Sequence, residues 1–466
     1  MPHWTPPVPA SCASQPHSFA YESTKTRWPK ILTGIVDELS KLNGQLSVQE
    51  EKDKLKEGKE LIEKLSGLIY EIKTDKPILP LEDTGYPNDF EEYNQELERD
   101  STMGQTWFSS TWLFAECYLY RRLRGFFATT THWNQFDPFA SQKLSTWKSS
   151  SSSVLQLSRT LNELVKKGKV TDQDELHRDW RIMMETMLWG NATDLSLLTS
   201  LTHEQIQELQ SVERGREFTL RDDLEMAWEH VKDFKGERID IVLDNSGFEL
   251  FTDLVLADFL LSLTPFASQI VIHPKLIPWF VSDVQPHDFL ILLDTLEDPQ
   301  FFPSLTEDDI STLQELVTRW RGFISDGKFK LSVPASLKMG QSSVEGQEDR
   351  DKDIKMAEFW TSPSPFCDLP LVAPELLEDL QRSKLVIFKG DLNYRKLCSD
   401  AWWTPSGSFE DALGPLKGKI TLLSLRTLKA DTVVGLPEGK AEELDAKEKD
   451  WRVSGKYAVV SFSKRV

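Results

Sequence analysis

From about residue 238 onward the sequence alternates between short apolar or β-branched runs and helical patterns, and this alternation limits the possible folds more than any other feature. The runs are 239–243, 269–273, 384–388, 420–425 and 457–462, and helical patterns at 249–263, 306–322 and 372–382 fall between some of them. Strands separated by helices cannot pair as hairpins. Each return leg must cross a face of the sheet, which predicts a predominantly parallel sheet covered on both sides, a three-layer α/β/α domain.

The first half has a different pattern. Residues 1–25 are rich in proline and read as an extended strap, and 28–72, 107–124, 155–165, 180–188, 203–212 and 220–231 carry helical periodicity. Convincing strands are absent there. The expected division is therefore an N-terminal all-helical domain over 1–235 that contributes to a cleft, followed by an α/β/α catalytic domain over 236–466. Within the latter, 340–353 lacks any apolar period and is expected to be a mobile acidic surface loop.

With 466 residues, 39% of them hydrophobic, the chain can build a large core or two domains sharing a cleft. Lys+Arg 54 against Asp+Glu 74 leaves a net charge of −20, which disfavours nonspecific binding to nucleic acid or an anionic membrane. No stretch reaches the roughly 18 uninterrupted apolar residues of a membrane span. The N-terminus lacks the basic-then-apolar order of a secretory signal. The expected location is cytoplasmic, with a nuclear one also open. Cys12, Cys117, Cys367 and Cys398 are far apart and form neither a disulfide framework nor a thiolate zinc site.

Four segments concentrate chemistry at the ends of apolar runs. In Leu243-Asp244-Asn245-Ser246-Gly247-Phe248-Glu249, hard oxygen ligands suited to Mg²⁺ or Mn²⁺ follow a strand directly. Gly247 permits a tight turn into a helix whose N-terminus favours phosphate, and Glu249 lies in its first turn. A plainer role for Asp244 or Asn245 is to cap that helix. In Trp279-Phe280-Val281-Ser282-Asp283, Asp283 ends a further apolar run and offers another oxygen ligand, or serves as a turn residue. Gly390-Asp391-Leu392-Asn393-Tyr394-Arg395-Lys396 sets Asp391 beside Asn393, Arg395 and Lys396 at what reads as a helix start, a phosphate clamp or else a solvated first turn. Arg426-Thr427-Leu428-Lys429-Ala430-Asp431 adds Arg426 and Lys429, with Asp431 as a partner for one of them; a structural ion pair is the alternative. In the helical half, Glu116 stands in an aromatic helix, and Asn191 and Asp194 sit in an apolar frame. These three are candidates for binding sugar hydroxyls.

Taken in order with Trp112 to Arg122 and Leu188 to Asp194, these segments span nearly the whole chain, and the set resembles the metal-dependent damage-control phosphatases, a family first known as domain of unknown function 89. It is most similar to the eukaryotic branch described as acidic-residue methyltransferase 1 or sugar-phosphate phosphatase. The resemblance implies one divalent ion at the carboxyl edge of the sheet, held by Asp244, Asn245 and Asp283, with Mn²⁺ foremost and Co²⁺, Ni²⁺ or Mg²⁺ as alternatives. It also implies hydrolysis of sugar phosphate monoesters such as fructose 1-phosphate and fructose 6-phosphate, and a part in metabolite damage control.

The residues favour phosphatase chemistry, because a cation and basic side chains would neutralise phosphoryl oxygens. Asp244 either attacks phosphorus or positions water, and Glu249 or Asp391 is the expected base or hydrogen-bond partner. The segment after the strand does not match the DxD of aspartyl phosphatases, which favours water. The alternative is S-adenosylmethionine-dependent methylation of protein glutamates, for which the chain offers a single glycine after Leu243 and no glycine-rich turn. A noncatalytic acidic binding module ranks third. Protein partners are not legible in the sequence.

Overall fold

The computed structural model of the chain describes residues 3–47, 51–85, 87–99, 105–190, 216–343 and 350–466. Its centre is a seven-stranded sheet of β1 (Thr219–Asp222), β2 (Glu237–Val242), β3 (Ala267–His273), β4 (Phe329–Leu331), β5 (Leu385–Lys389), β6 (Leu422–Thr427) and β7 (Ala458–Ser463). The strand order is β1-β7-β6-β5-β2-β3-β4. Every pairing is parallel except β6 with β7. The predominantly parallel sheet expected from the alternation is present.

β2 is the pivot of this order. The chain leaves β2 for β3 and β4 on one side, then returns to place β5 on the other. Connections diverging from one strand leave a crevice beyond its carboxyl end, and this is where open α/β sheets bind ligands.

Strand residues alternate between two cores. Ile239, Ile241, Leu385, Ile387 and Leu423 join a cluster containing Trp180, Leu254, Phe259 and Trp320. Val242, Val386, Phe388 and Leu422 join one containing Trp28, Leu65, Trp112 and Tyr118. The helices Ser151–Lys167, Gln173–Trp189, Phe248–Ser262 and Glu307–Ser325 thus cover one face, and Trp28–Gln45, Lys52–Lys73 and Trp112–Ala128 pack over the other. Helix Phe248–Ser262 is apolar on almost every side, as expected for a helix buried all round. The segments 1–235 and 236–466 therefore share both cores, and β1, from the earlier segment, pairs with β7 from the later one.

Several expectations are corrected in detail. The strap is irregular only through Ser18, since Phe19–Glu22 and Ser23–Arg27 are already helical. The helical pattern at 220–231 begins in β1 and becomes helical only at Leu224–Val231. Within 340–353, Asp351 opens the helix Asp351–Ala357. The run before Asp283 is a loop rather than a strand, with positive φ at Phe280 and Val281. Among the described residues no helix is long and apolar enough to cross a membrane.

Candidate metal and phosphate site

The loop after β2 and the loop carrying Asp283 are zipped together by their backbones. Asn245 and Asp283 form an antiparallel bridge. The Val284 N–H donates to the Asp244 carbonyl at 2.9 Å, and the Ser246 N–H donates to the Ser282 carbonyl at 2.7 Å. Residues 36 to 40 positions apart thereby meet beyond the pivot strand. Gly247, at φ +68°, turns the chain into helix Phe248–Ser262, and neither Asp244 nor Asn245 caps that helix. The plain capping role is excluded.

Side chains then form a chain of contacts that runs from the half-buried Asn245 and Ser282 into the interior. Asn245 Nδ2 donates to Asp244 Oδ2 at 2.7 Å and to Glu249 Oε2 at 2.8 Å. Its Oδ1 accepts from Ser282 Oγ. Lys389 Nζ, at the end of β5, reaches Glu249 Oε1 at 3.0 Å and Asp253 Oδ1 at 2.7 Å. Lys275, just beyond β3, lies 4.0 Å from Asp283 Oδ2, and its Nζ donates to Asn393 Oδ1 at 2.9 Å. Asn393 Nδ2 donates to the Leu243 carbonyl at 3.0 Å and the Lys389 carbonyl at 2.6 Å, tying the ends of β2 and β5 together.

Gly390 completes the approach of the two strand ends. A Cβ there would stand 1.9 Å from Asp244 Oδ2, at a φ of +83°. Only glycine lets the β5 turn pass beside that carboxylate.

The cluster is short of positive charge. Asp244, Glu249, Asp253 and Asp283 are all buried, against the two buried ammonium groups of Lys275 and Lys389; a third buried lysine nearby, Lys143, is held between Asp137 and Asp288. Half-buried Lys429 at the rim is the next cation acting on Asp244, and the deficit persists when it is counted. Burial, reinforced by Glu249 and Asp283, pushes the Asp244 carboxyl well above the usual carboxylate range. Burial likewise pushes Asp283 up to about 7 against the pull of Lys275 and Lys143. Asp253 rises to about 7 from burial, although Lys389 opposes it. Asp283 Oδ2 has no hydrogen-bond partner despite being buried. An orphaned acceptor among crowded carboxylates and a carboxamide fits a hard divalent cation.

Phosphate-binding expectations fare unevenly. Helix Gly390–Leu397 starts at Gly390, so Arg395 and Lys396 occupy its last turn rather than its first. Cations are favoured there without any bound anion. Arg395 is consumed by Glu116 at 2.8 Å and Asp400 at 2.8 Å, and lies 3.8 Å over the Trp112 ring. Glu116 also accepts from Trp28 Nε1 at 3.2 Å. This group staples helix Trp112–Ala128 to the α/β layer and leaves Glu116 no free oxygen for a sugar. Lys396 is buried, donates to the Ser362 carbonyl at 2.8 Å and sits 4.7 Å from the Phe366 ring centre.

Asp391 Oδ1 accepts from Arg426 Nε at 2.8 Å and from the Lys429 N–H at 3.0 Å. Burial raises its carboxyl, but Arg426 and Arg395 outweigh burial and hold it below the usual range. Asp431, expected beside Arg426 or Lys429, instead accepts from the Phe19 N–H of the strap. The Lys429 ammonium has no hydrogen-bond partner among the described residues. Asn191 and Asp194 lie outside the described residues.

Sequence reasoning missed Lys275, Asp253, Lys389 and Gly390 as members of the cluster. Gly390 opens a segment already singled out, and Lys389 immediately precedes it. Asp253 follows Glu249 by four residues on one helix, a local signal that was passed over, whereas Lys275 carried none, because only strand order brings it in.

A second group able to hold a metal ion, Asp137, His287 and Asp288, is also present. Lys143 Nζ lies 2.8 Å from Asp137 Oδ2 and 2.7 Å from Asp288 Oδ2, so an ammonium already occupies these carboxylate oxygens and offsets one of their two charges.

The profile of the damage-control phosphatase ARMT1-like domain matches residues 23–444. The chain belongs to this family. Relatives named damage-control phosphatase ARMT1 include that of Homo sapiens, 35% identical over 468 residues, covering 98% of each chain. That of Danio rerio is 36% identical over 461 residues, covering 96% of this chain and 95% of its own. A solved DUF89 family protein from Pyrococcus horikoshii aligns over 93% of this chain and 98% of its own at 14% identity, with a TM-score of 0.38. Family membership makes the chain one of the damage-control phosphatases by descent, with a candidate metal-binding group in its structure.

Proposed function

We propose that the protein hydrolyses sugar phosphate monoesters, fructose 1-phosphate and fructose 6-phosphate among them, with one divalent cation held by Asp244, Asn245 and Asp283. The observation that carries this reading is the charge deficit around Asp283 Oδ2, a buried carboxylate oxygen with no hydrogen-bond partner. The Asp137, His287 and Asp288 group is the weaker host, since the Lys143 ammonium already occupies its carboxylate oxygens. A cation at the Asp244 site, with Mn²⁺ the first choice and Co²⁺, Ni²⁺ or Mg²⁺ as alternatives, would neutralise phosphoryl oxygens as charge shifts during displacement.

The chain's own residues divide the remaining work. Asn245 holds Asp244 and Glu249 in fixed relation through its amide hydrogens. Both Glu249 oxygens are engaged, one by Asn245 and one by Lys389, so Glu249 orients the ligand set rather than taking a proton. Asp391 fixes the backbone of Lys429 and the guanidinium of Arg426, which makes it a positioning residue. Lys429 is left as the cation available to a phosphoryl oxygen.

Lys429→Met should lower kcat/KM for a sugar phosphate by about a hundredfold or more, the usual cost of losing a preorganised contact to developing negative charge. Mn²⁺ affinity should change little by calorimetry. Parental kinetics in the variant would remove Lys429 from the site.

The reaction class is tested on chelator-treated protein given fructose 1-phosphate. Phosphate release should require restored Mn²⁺, Co²⁺, Ni²⁺ or Mg²⁺ and no S-adenosylmethionine. Metal-independent incorporation of labelled methyl into protein, with no phosphate release across a sugar-phosphate panel, would reverse the assignment.

A further inference from the structure

We infer that Lys275 is a built-in counter-ion for the proposed metal site: its ammonium holds the Asp283 loop and the β2–β5 junction in place when no cation is bound, so the lysine and the cation share one electrostatic task. This rests on the metal reading above.

Lys275 is 0% exposed, and burying an ammonium costs several kcal/mol unless anions and acceptors answer it. Here the answer is specific. Its Nζ stands 4.0 Å from Asp283 Oδ2, the oxygen with no hydrogen-bond partner, and donates to Asn393 Oδ1 at 2.9 Å. The Lys275 N–H donates to the Val284 carbonyl at 2.8 Å, so its backbone is fastened to the loop that carries Asp283. Asn393 passes the constraint on to the carbonyls of Leu243 and Lys389, immediately before Asp244 and Gly390. One buried lysine therefore touches the Asp283 loop directly and the Asp244 strand end through one intermediary.

The phosphoryl group has no route to this ammonium, because it is fully enclosed beneath the Phe366 ring, 5.7 Å from the ring centre. Lys275 is thus a positioning residue, distinct from the half-buried Lys429 at the rim. Its charge has a second consequence. A positive group close to the carboxylates opposes a second positive group, so Lys275 weakens cation binding while it stabilises the empty site.

Thermal unfolding of chelator-treated and Mn²⁺-saturated protein, with Mn²⁺ titration calorimetry, tests this. Lys275→Met should lower the metal-free Tm by roughly 3–5 °C, the scale of removing one partner from a buried ion pair in a protein of this size. Saturating Mn²⁺ should recover at least half of that loss, and the variant should bind Mn²⁺ about tenfold more tightly than the parent. A merely structural lysine would leave the same Tm gap with and without Mn²⁺ and no gain in affinity, and that result overturns the inference. Should Lys275→Met fail to fold, the pair Lys275→Met with Asp283→Asn should regain folded protein. Failure of the pair, judged against folded Asp283→Asn alone, also overturns it. A parent whose Tm ignores Mn²⁺ would instead defeat the metal reading on which the inference rests.

Discussion

Asp244→Ala is expected to give a folded protein with no measurable phosphate release, a loss of at least about a thousandfold, and greatly weakened Mn²⁺ binding. The mutation should not cost metal-free stability. In the folded chain, burial with Glu249 and Asp283 nearby raises the Asp244 carboxyl above its unfolded value, so ionisation is less favourable folded than unfolded. A group shifted in this direction costs stability once pH rises past the ordinary carboxylate range, and that cost is present at neutral pH. Removing it should leave the metal-free Tm equal to the parent's or higher, while the rise on adding Mn²⁺ disappears. Circular dichroism, thermal unfolding with and without Mn²⁺, and a phosphate-release assay test all three parts. Parental Mn²⁺ affinity in the folded variant would sink the assignment of Asp244 as a ligand.

Gly390→Ala should be nearly as damaging, although it removes no functional group. The added methyl would fall 1.9 Å from Asp244 Oδ2 and 2.1 Å from its Cγ, so either the carboxylate or the β5 turn must move. The positive φ adds strain on the order of 1–2 kcal/mol for a residue with a Cβ. Gly439→Ala separates the two effects. Gly439 has a similar φ of +78° with nothing within 4 Å of its would-be Cβ, so it reports backbone strain alone. Gly390→Ala is expected to lose at least about a hundredfold in kcat/KM and to weaken Mn²⁺ binding, since misplacing a site group by an ångström costs on this scale. Gly439→Ala should keep parental kinetics. Equal kinetics in both variants would show that Asp244 is not held against the β5 turn in solution.

Both expectations concern residues that the sequence singled out for reasons it could not complete. The carboxylate and carboxamide after an apolar run marked Asp244 and Asn245, and the fold places them at the carboxyl end of the pivot strand. Arg395 and Lys396 were misread for a physical reason. Two cations at a helix start imply an anion, but the helix is eight residues long and begins at Gly390, so they occupy its last turn. There the helix dipole and the Glu116 and Asp400 carboxylates satisfy Arg395, and the Ser362 carbonyl receives Lys396. Glu116 changed meaning with its partner. The sequence offers it as a ligand for sugar hydroxyls, whereas in the fold Arg395 and Trp28 hold it as a staple.

What the sequence determined alone is the layer architecture and the position of the ligand loop along the chain. Short apolar or β-branched runs, separated by helical stretches, leave few alternatives to a parallel sheet covered on both faces. Side-chain chemistry at the end of each run is local and needs no partner to be read. Tertiary structure decided which strand ends meet. The order β5-β2-β3 brings Lys389 and Gly390, more than a hundred residues further along the chain, to one side of Asp244 and Lys275 to the other. It also decided which charges remain unpaired. Pairing is set by distance in space and by exclusion of water, and neither quantity is written in the spacing of residues along a sequence.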